Sequence, residues 1–193
     1  MSEDADRGLL VAATRRMWLV RPPTHVLRAR LERDHLEAEM DLGGGRVRVV
    51  FPSTWPGEAL PLVANWLSMR RLDPRGEPWG GTLVERAGWR AIGTIGCKTW
   101  PDASGTVEVG YGLEPSRRGR GLATEALWCL LGVLDAEVDV TRVIAETHEE
   151  NLPSQAVLRK CGFASFGEAP SDEGRMIWWQ RASPPAGPQD DAA

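Results

Sequence analysis

Two glycines, Gly119 and Gly121, stand among Arg117, Arg118 and Arg120 in the stretch "EPSRRGRGLATEALWCLLG", residues 114 to 132, which runs on into an alanine- and leucine-rich segment. Residue types at this spacing suit an anion. Glycine lets the backbone approach a ligand closely, and a helix opening there presents unpaired N–H groups and the positive end of its dipole. Hydrogen bonds to a charged acceptor are worth about 1.5–3 kcal/mol each, so a few such donors could dominate the binding of a diphosphate. Two familiar phosphate loops are excluded. A P-loop needs GxxxxGK[ST], and the lysine is missing. A dinucleotide fingerprint needs glycine or alanine three residues after Gly121, where Thr124 stands, and the following strand lacks an acid at the right distance. On spacing alone, an anion cradle and a plain loop-to-helix turn with solvated arginines are equally good readings.

Further candidates lie on either side. Glu108 precedes Gly110 and Gly112 in "TVEVGYGL", and strand alternation puts all three on one face if no bulge intervenes. Glycines inside a strand weaken it, and a bulge or the close approach of another backbone or ligand is the usual reason for them. About thirty residues beyond the glycine pair, "IAETHEENLPSQAVLRKCGF" offers Asn151 as the cap of a helix entered through Pro153. The three cysteines, Cys97, Cys129 and Cys161, form no CxxC pair and have no histidine cluster nearby, so neither a disulfide framework nor a zinc site is indicated.

The elements that must position these residues follow from composition and pattern. A chain of 193 residues, 42% apolar and 26% charged, is expected to form one globular domain over residues 13–181, with loose tails at 1–12 and 182–193. The formal charge of −4 opposes a polyanionic partner, and "RRGR" has no aromatic stacking partners beside it, so nucleic-acid binding is not expected. No apolar run reaches the about 18 residues needed to span a bilayer, and the acidic start "MSEDADRG" is unlike a signal peptide. No membrane association and a cytoplasmic location are therefore expected.

Residues 16–20 read as a strand, followed by a helix that Thr24 could cap, with Val26, Leu27, Leu31, Leu36 and Met40 as loosely periodic apolar positions. After a turn and an extended segment at "GGGRVRVVF", residues 57–72 place Leu60, Val63, Ala64, Leu67 and Leu72 near one helical stripe despite Pro61. Three strands in close succession, "TLVER", "RAIGTIGCK" and "TVEVGYGL", read as antiparallel neighbours. A helix from Gly121 to about Asp135, the strand "RVIAETH", a helix from about Pro153 to Lys160 and a final strand pair complete an α/β (α+β) order.

Taken together, "TVEVGYGLEPSRRGRGLATEAL" and "IAETHEENLPSQAVLRKCGF" resemble the GNAT superfamily of N-acetyltransferases, and especially its ribosomal-protein alanine acetyltransferase branch. The family pattern, Q/R-x-x-G-x-G/A followed by N-x-x-S/A and a helix ending in G-F, reads here as Ser116, Arg117, Arg118, Gly119, Arg120, Gly121, then Asn151, Ser154, Gly162 and Phe163. The resemblance covers residues 80–181 well and the first half more weakly. Ser116 departs from the pattern at a side chain, which leaves the backbone donors in place. The fold so implied is a mixed, mostly antiparallel twisted sheet of six to seven strands flanked by about four helices.

The resemblance also implies a cosubstrate, acetyl-CoA, with no metal. Its pantetheine arm would pair with Tyr111, Gly112 and Leu113, and its pyrophosphate would rest on Arg117, Arg118, Gly119, Arg120, Gly121, Leu122 and Ala123, with Asn151 and Ser154 near the thiol. The reaction implied is direct transfer of acetyl to a primary amine, that of a small molecule or of a protein N-terminus, in a ternary complex. An alkyl ammonium has a pKa of about 10.4, so a base is useful, and Glu108 matches the family position; His148 is the alternative, against the plainer reading of a solvated loop histidine. The thiol, at about 8.5, leaves more easily, and the tyrosine that many members use as its acid is replaced by Leu158, leaving Ser154 as the substitute. That loss motivates an alternative reading, an acyl-CoA-binding module without strong catalysis. Trp55, Trp66, Trp79 and Trp100 are expected to wall an acceptor pocket near Glu58 or Glu108. A homodimer is compatible with all of this.

Overall fold

The computed structural model describes residues 8–42, 45–73, 78–172 and 174–182. In chain order these form β1 (Leu9–Ala13), β2 (Met17–Arg21), α1 (Thr24–Glu32), β3 (Leu36–Asp41) and β4 (Arg46–Phe51). A 3-10 helix (Gly57–Leu62) runs into α2 (Val63–Leu72), followed by β5 (Gly80–Glu85), β6 (Arg90–Cys97) and β7 (Thr106–Leu113). A short 3-10 turn then leads to α3 (Leu122–Leu134), β8 (Arg142–His148), α4 (Leu152–Lys160), β9 (Ala164–Ser171) and β10 (Gly174–Ala182).

The strands lie in the order β1-β2-β5-β6-β7-β8-β10-β9. Neighbours along this path are antiparallel except β7 and β8, which are parallel and joined by the α3 crossover. The β3–β4 hairpin attaches to the path through a single parallel bridge, Val50 to Arg90. Mostly antiparallel pairing with helices on the faces is as expected, but the described residues form ten strands where six to seven were expected.

The extra strands correct two readings. The expected N-terminal tail covered residues 1–12, yet Leu9–Ala13 pair with β2, so the structured chain begins earlier; residues 1–7 and 183–193 of the expected tails lie outside the described residues. The helix thought to run on to Met40 ends at Glu32, where Arg33 turns extended. Leu36, Ala38 and Met40 are then buried in alternation with exposed Glu37, Glu39 and Asp41, a period of two that spacings read at helical period had hidden. Pro23, not Thr24, is the N-cap of α1, and no side chain caps it.

Two apolar clusters sandwich the sheet. In β2, Leu19 feeds one and the next residue, Val20, feeds the other, so they lie on opposite faces. The first is built on α3, whose Leu127, Leu130, Leu131 and Leu134 are fully buried against Val107 and Val109 of β7, Val143 of β8 and Leu158 of α4. The second gathers Val26, Leu27, Phe51, Trp55 and Val63. Of the expected 57–72 stripe only Val63 is buried; Leu60 and Leu72 are 37% and 76% exposed, because this segment borders a cleft instead of the core.

Because β6 and β7 pair without a bulge, Glu108, Gly110 and Gly112 do share one face, away from α3. Gly80, Gly96 and Gly110 stand in register across β5, β6 and β7, which leaves that row of the face bare of side chains between Glu108 and the Thr82–Thr94 pair. These glycines differ in what demands them. A Cβ on Gly93 would press into the Gly112 carbonyl and come within 3.0 Å of Leu113 Cα, whereas one on Gly112 would meet nothing within 4 Å. Gly93→Ala is therefore expected to cost about 1–3 kcal/mol in denaturant unfolding. Gly112→Ala should stay within about 0.5 kcal/mol of the parent protein.

Candidate functional site

The site begins where a pairing stops. β7 and β8 are in register only from Thr106 to Glu108 against Arg142 to Ile144. Beyond that, β7 continues to Leu113 along β6, and β8 continues to His148 along β10. The inner edges of the two strands thus separate, and backbone donors and acceptors facing the split need water or an extended ligand. Gly110 and Gly112 face the cleft beside it, a space of about 550 Å³. Neither has positive φ, and a Cβ on Gly110 would meet only Lys98 Cε at 3.8 Å. Neither backbone conformation nor protein packing demands these two glycines, and their lack of side chains leaves room for a ligand to lie on the strand.

At the C-terminal end of β7 the chain turns through Gly119 and Gly121, both left-handed with φ of 74° and 72°. Gly121 is the N-cap of α3 and has no side-chain cap, so the N–H groups of the first turn, starting with Leu122 and Ala123, are directed out of the helix end. Leu122 is itself buried and can serve a ligand only through its backbone. A residue from the far edge of the sheet fixes this turn. Arg16, between β1 and β2, places Nε 2.6 Å from Glu125 and donates from its guanidinium to the Arg120 carbonyl at 2.9 Å. Burial opposes the Glu125 charge, but hydrogen bonds from Thr14 and Arg16 prevail and hold its carboxyl below the usual range. The sequence reading missed Arg16, since nothing local links residues 109 positions apart.

The three loop arginines part company. Arg117 turns to Glu85 on β5, with contacts of 3.0 and 3.2 Å, and is mostly buried. Arg118 donates to the Leu113 carbonyl at 3.0 Å and lies 3.6 Å from Glu58. Arg120 is exposed beside the turn.

Glu108 does not stand alone. Lys98, one residue past the end of β6, reaches it at 2.5 Å and reaches Glu146 on β8 at 2.6 Å, so one ammonium bridges β7 and β8 next to the point where they part. Burial works against the Lys98 charge, yet the two carboxylates outweigh it and hold its pKa above the ordinary value. Neither Lys98 nor Glu146 was picked out from the sequence; the "GCK" and "AET" that carry them look like ordinary strand ends.

On the opposite face, Asn151 accepts from the Ser154 backbone N–H at 3.1 Å and so caps α4. Ser154 Oγ donates to the Tyr111 hydroxyl at 2.9 Å, and that hydroxyl donates to the Ser154 carbonyl at 3.2 Å. Burial pushes the Tyr111 phenol up to about 12, the Ser154 bond acting in the other direction. Leu158 is 1% exposed and belongs to the core. A phenol is therefore present at α4 after all, supplied by β7, while the sequence reading had given Tyr111 only a backbone role. Glu108 and Ser154 flank the split from opposite faces and do not meet. His148, at the far end of β8, accepts from the Glu150 backbone N–H at 3.3 Å.

Trp66 and Trp79 line the cleft. Trp55 is instead buried edge-on against Phe51 at 4.7 Å, and Trp100, half-buried, packs edge-on against Trp79 at 4.9 Å without lining the cleft. Cys97 lines the cleft as a thiol pushed up to about 12 by burial. Among the described residues, no group of three or more His, Cys, Asp or Glu side chains could hold a metal ion, and no helix is long and apolar enough to cross a membrane.

Residues 26–164 match the acetyltransferase (GNAT) domain family. Among curated proteins, the N-acetyltransferase YjdG of Bacillus subtilis is 28% identical over 113 residues, 56% of this chain and 66% of that protein. The N-acetyltransferase p20 of Bacillus licheniformis is 30% identical over 89 residues, 45% of this chain and 50% of its own. The chain thus spans two thirds or less of these relatives' length. Of solved structures, RimL, a ribosomal L7/L12 α-N-protein acetyltransferase in complex with coenzyme A, superposes with a TM-score of 0.64 at 14% identity, over 90% of this chain and 98% of that one. RimJ of Mycobacterium smegmatis, in complex with CoA-disulfide, gives a TM-score of 0.58 at 21% identity, over 86% and 82%. These likenesses show the fold; joined to the family match over most of the chain, they establish that the protein belongs to the GNAT acetyltransferase family.

Proposed function

We propose that the protein is an N-acetyltransferase that binds acetyl-CoA in the split between β7 and β8 and passes its acetyl group directly to a primary amine. The observation that carries this reading is the split itself, floored by Gly110 and Gly112 and ending at the left-handed turn that opens α3. In this reading the pantetheine arm pairs with the inner edge of β7 around Tyr111–Leu113 as a short added strand. The pyrophosphate rests on the N–H groups following Gly119 and Gly121, with Arg118 and Arg120 as outer contacts; Arg117 joins them only by leaving Glu85.

The transfer needs a neutral amine. Glu108 accepts the acceptor's proton, directly or through water; the nitrogen attacks the thioester carbonyl, and collapse of the tetrahedral adduct breaks the C–S bond. The thiolate is the better leaving group of the pair, and Ser154, backed by the still-protonated Tyr111, stands near it as hydrogen-bond donor. The products are the N-acetylated amine and free coenzyme A. That phenol offsets the missing tyrosine at position 158, which favours an active enzyme over a silent CoA-binding module.

Three outcomes are expected. Gly112→Val should leave the unfolding midpoint nearly unchanged while abolishing acetyl-CoA binding by calorimetry, since its side chain fills ligand space and not protein space. Glu108→Gln should lower kcat/KM about 10²–10⁴-fold in a thiol-release assay with a panel of amines, while coenzyme A affinity stays within about twofold; full turnover in this variant would remove Glu108 from the mechanism. Arg16→Ala should raise the KM for acetyl-CoA by about tenfold through loss of one charge-assisted bond to the turn, with a smaller change in kcat.

A further inference from the structure

The geometry points to a particular class of acceptor: a single primary ammonium carried on an apolar body, such as an aryl-alkyl or alkyl amine. This inference rests on the acetyl-transfer reading above and ranks the acceptors that reading leaves open. Besides the glycine floor, the cleft is lined by the apolar side chains of Leu62, Trp66, Met69 and Trp79. Leu62 is 48% exposed, so the protein leaves this wall partly uncovered, and about 25 cal/mol is gained for each Å² of it that a ligand's apolar surface covers. The floor of Gly80, Gly96 and Gly110 is flat backbone, against which a ring or alkyl chain can lie.

The charged groups of the cleft argue against more polar acceptors. A polyamine or amino sugar carries several cations and needs carboxylates spread along the site. Both oxygens of Glu114 are already taken, one by Ser116 and the other by Thr54 and Arg90, and Glu58 is 95% exposed at the rim. A free amino acid needs a cation for its carboxylate; of those lining the cleft, Lys98 is held between Glu108 and Glu146, Arg118 is assigned above to the diphosphate, and Arg70 is turned to the Pro22 carbonyl at 2.7 Å and the Thr24 hydroxyl at 3.4 Å. At one end of the floor the cleft is lined by Lys98, whose ammonium is held by Glu108 and Glu146, so an acceptor entering there has room for one cation only, sharing those carboxylates with Lys98. An acceptor whose apolar body lies along Trp66 and whose nitrogen points to that end satisfies every wall at once.

The test uses the full chain with 2-phenylethylamine, hexylamine, spermidine, kanamycin and glycine, read by thiol release with saturating acetyl-CoA and by calorimetry in the presence of coenzyme A. The two apolar amines should show kcat/KM at least about tenfold above the polar three, the scale on which apolar contacts discriminate. Trp66→Leu and Trp66→Ala, with unfolding midpoints checked, should raise the KM for 2-phenylethylamine stepwise while the KM for acetyl-CoA stays unchanged. Preference for spermidine, kanamycin or glycine, or a phenylethylamine KM indifferent to Trp66, overturns the inference. Release of thiol with polar amines only would sink it while leaving acetyl transfer standing. Tight binding of 2-phenylethylamine without thiol release would uphold the subsite and reject the transfer.

Discussion

The short stretch of parallel pairing between Thr106–Glu108 and Arg142–Ile144 joins the two halves of the sheet, and its early end is what the rest of the molecule is arranged around. Parallel neighbours cannot be linked by a tight turn, so α3 must cross from the end of β7 back to the start of β8. That crossover places the N-terminus of α3 at the same end of the strands as their divergence. An exposed backbone edge and a ring of unpaired N–H groups therefore open onto one space. The core makes this affordable: the fully buried leucines of α3 hold β7 and β8 from one face, so the strands can separate without the sheet coming apart.

Electrostatics then secure the two ends of the opening. At the diphosphate end, Arg16 ties an edge-strand turn to Glu125 and to the loop carbonyl of Arg120. At the paired end, Lys98 draws carboxylates from both strands to one point. Surface ion pairs of this kind contribute little to stability, typically below about 1 kcal/mol, so their weight lies in where they hold a backbone or a carboxylate.

Much of this was readable from residues in sequence. The glycine turn, the strand before it, the following helix and the Asn151 cap are local patterns, and local patterns carry their own geometry: Gly121 adopts the left-handed conformation that only glycine takes cheaply, and Asn151 caps within three residues. What escaped was set by distance or by weak periodicity. Leu36 and Met40 are spaced four apart, which fits a helix as well as a strand, and only the exposure of Glu37 and Glu39 between them decides. Leu9–Ala13 gain their structure from β2, not from their own composition. Arg16 with Glu125, Lys98 with Glu146 and Tyr111 with Ser154 are contacts that only the folded chain brings about.

The row of Gly80, Gly96 and Gly110 has a bearing on how such a protein can change. A floor without side chains can be altered only by addition, and every addition at Gly80 or Gly96 strikes neighbouring backbone. The floor is thus fixed by steric necessity on β5 and β6, while at Gly110 on β7 a Cβ would enter only the cleft. Variation must instead enter through the segment from Gly57 to Leu72, which hangs over the cleft, contributes only Val63 to the buried core, and can exchange its apolar residues without disturbing the sheet. The fold separates an invariable bed from a replaceable roof, so a new acceptor can be acquired without rebuilding the place where the chemistry occurs.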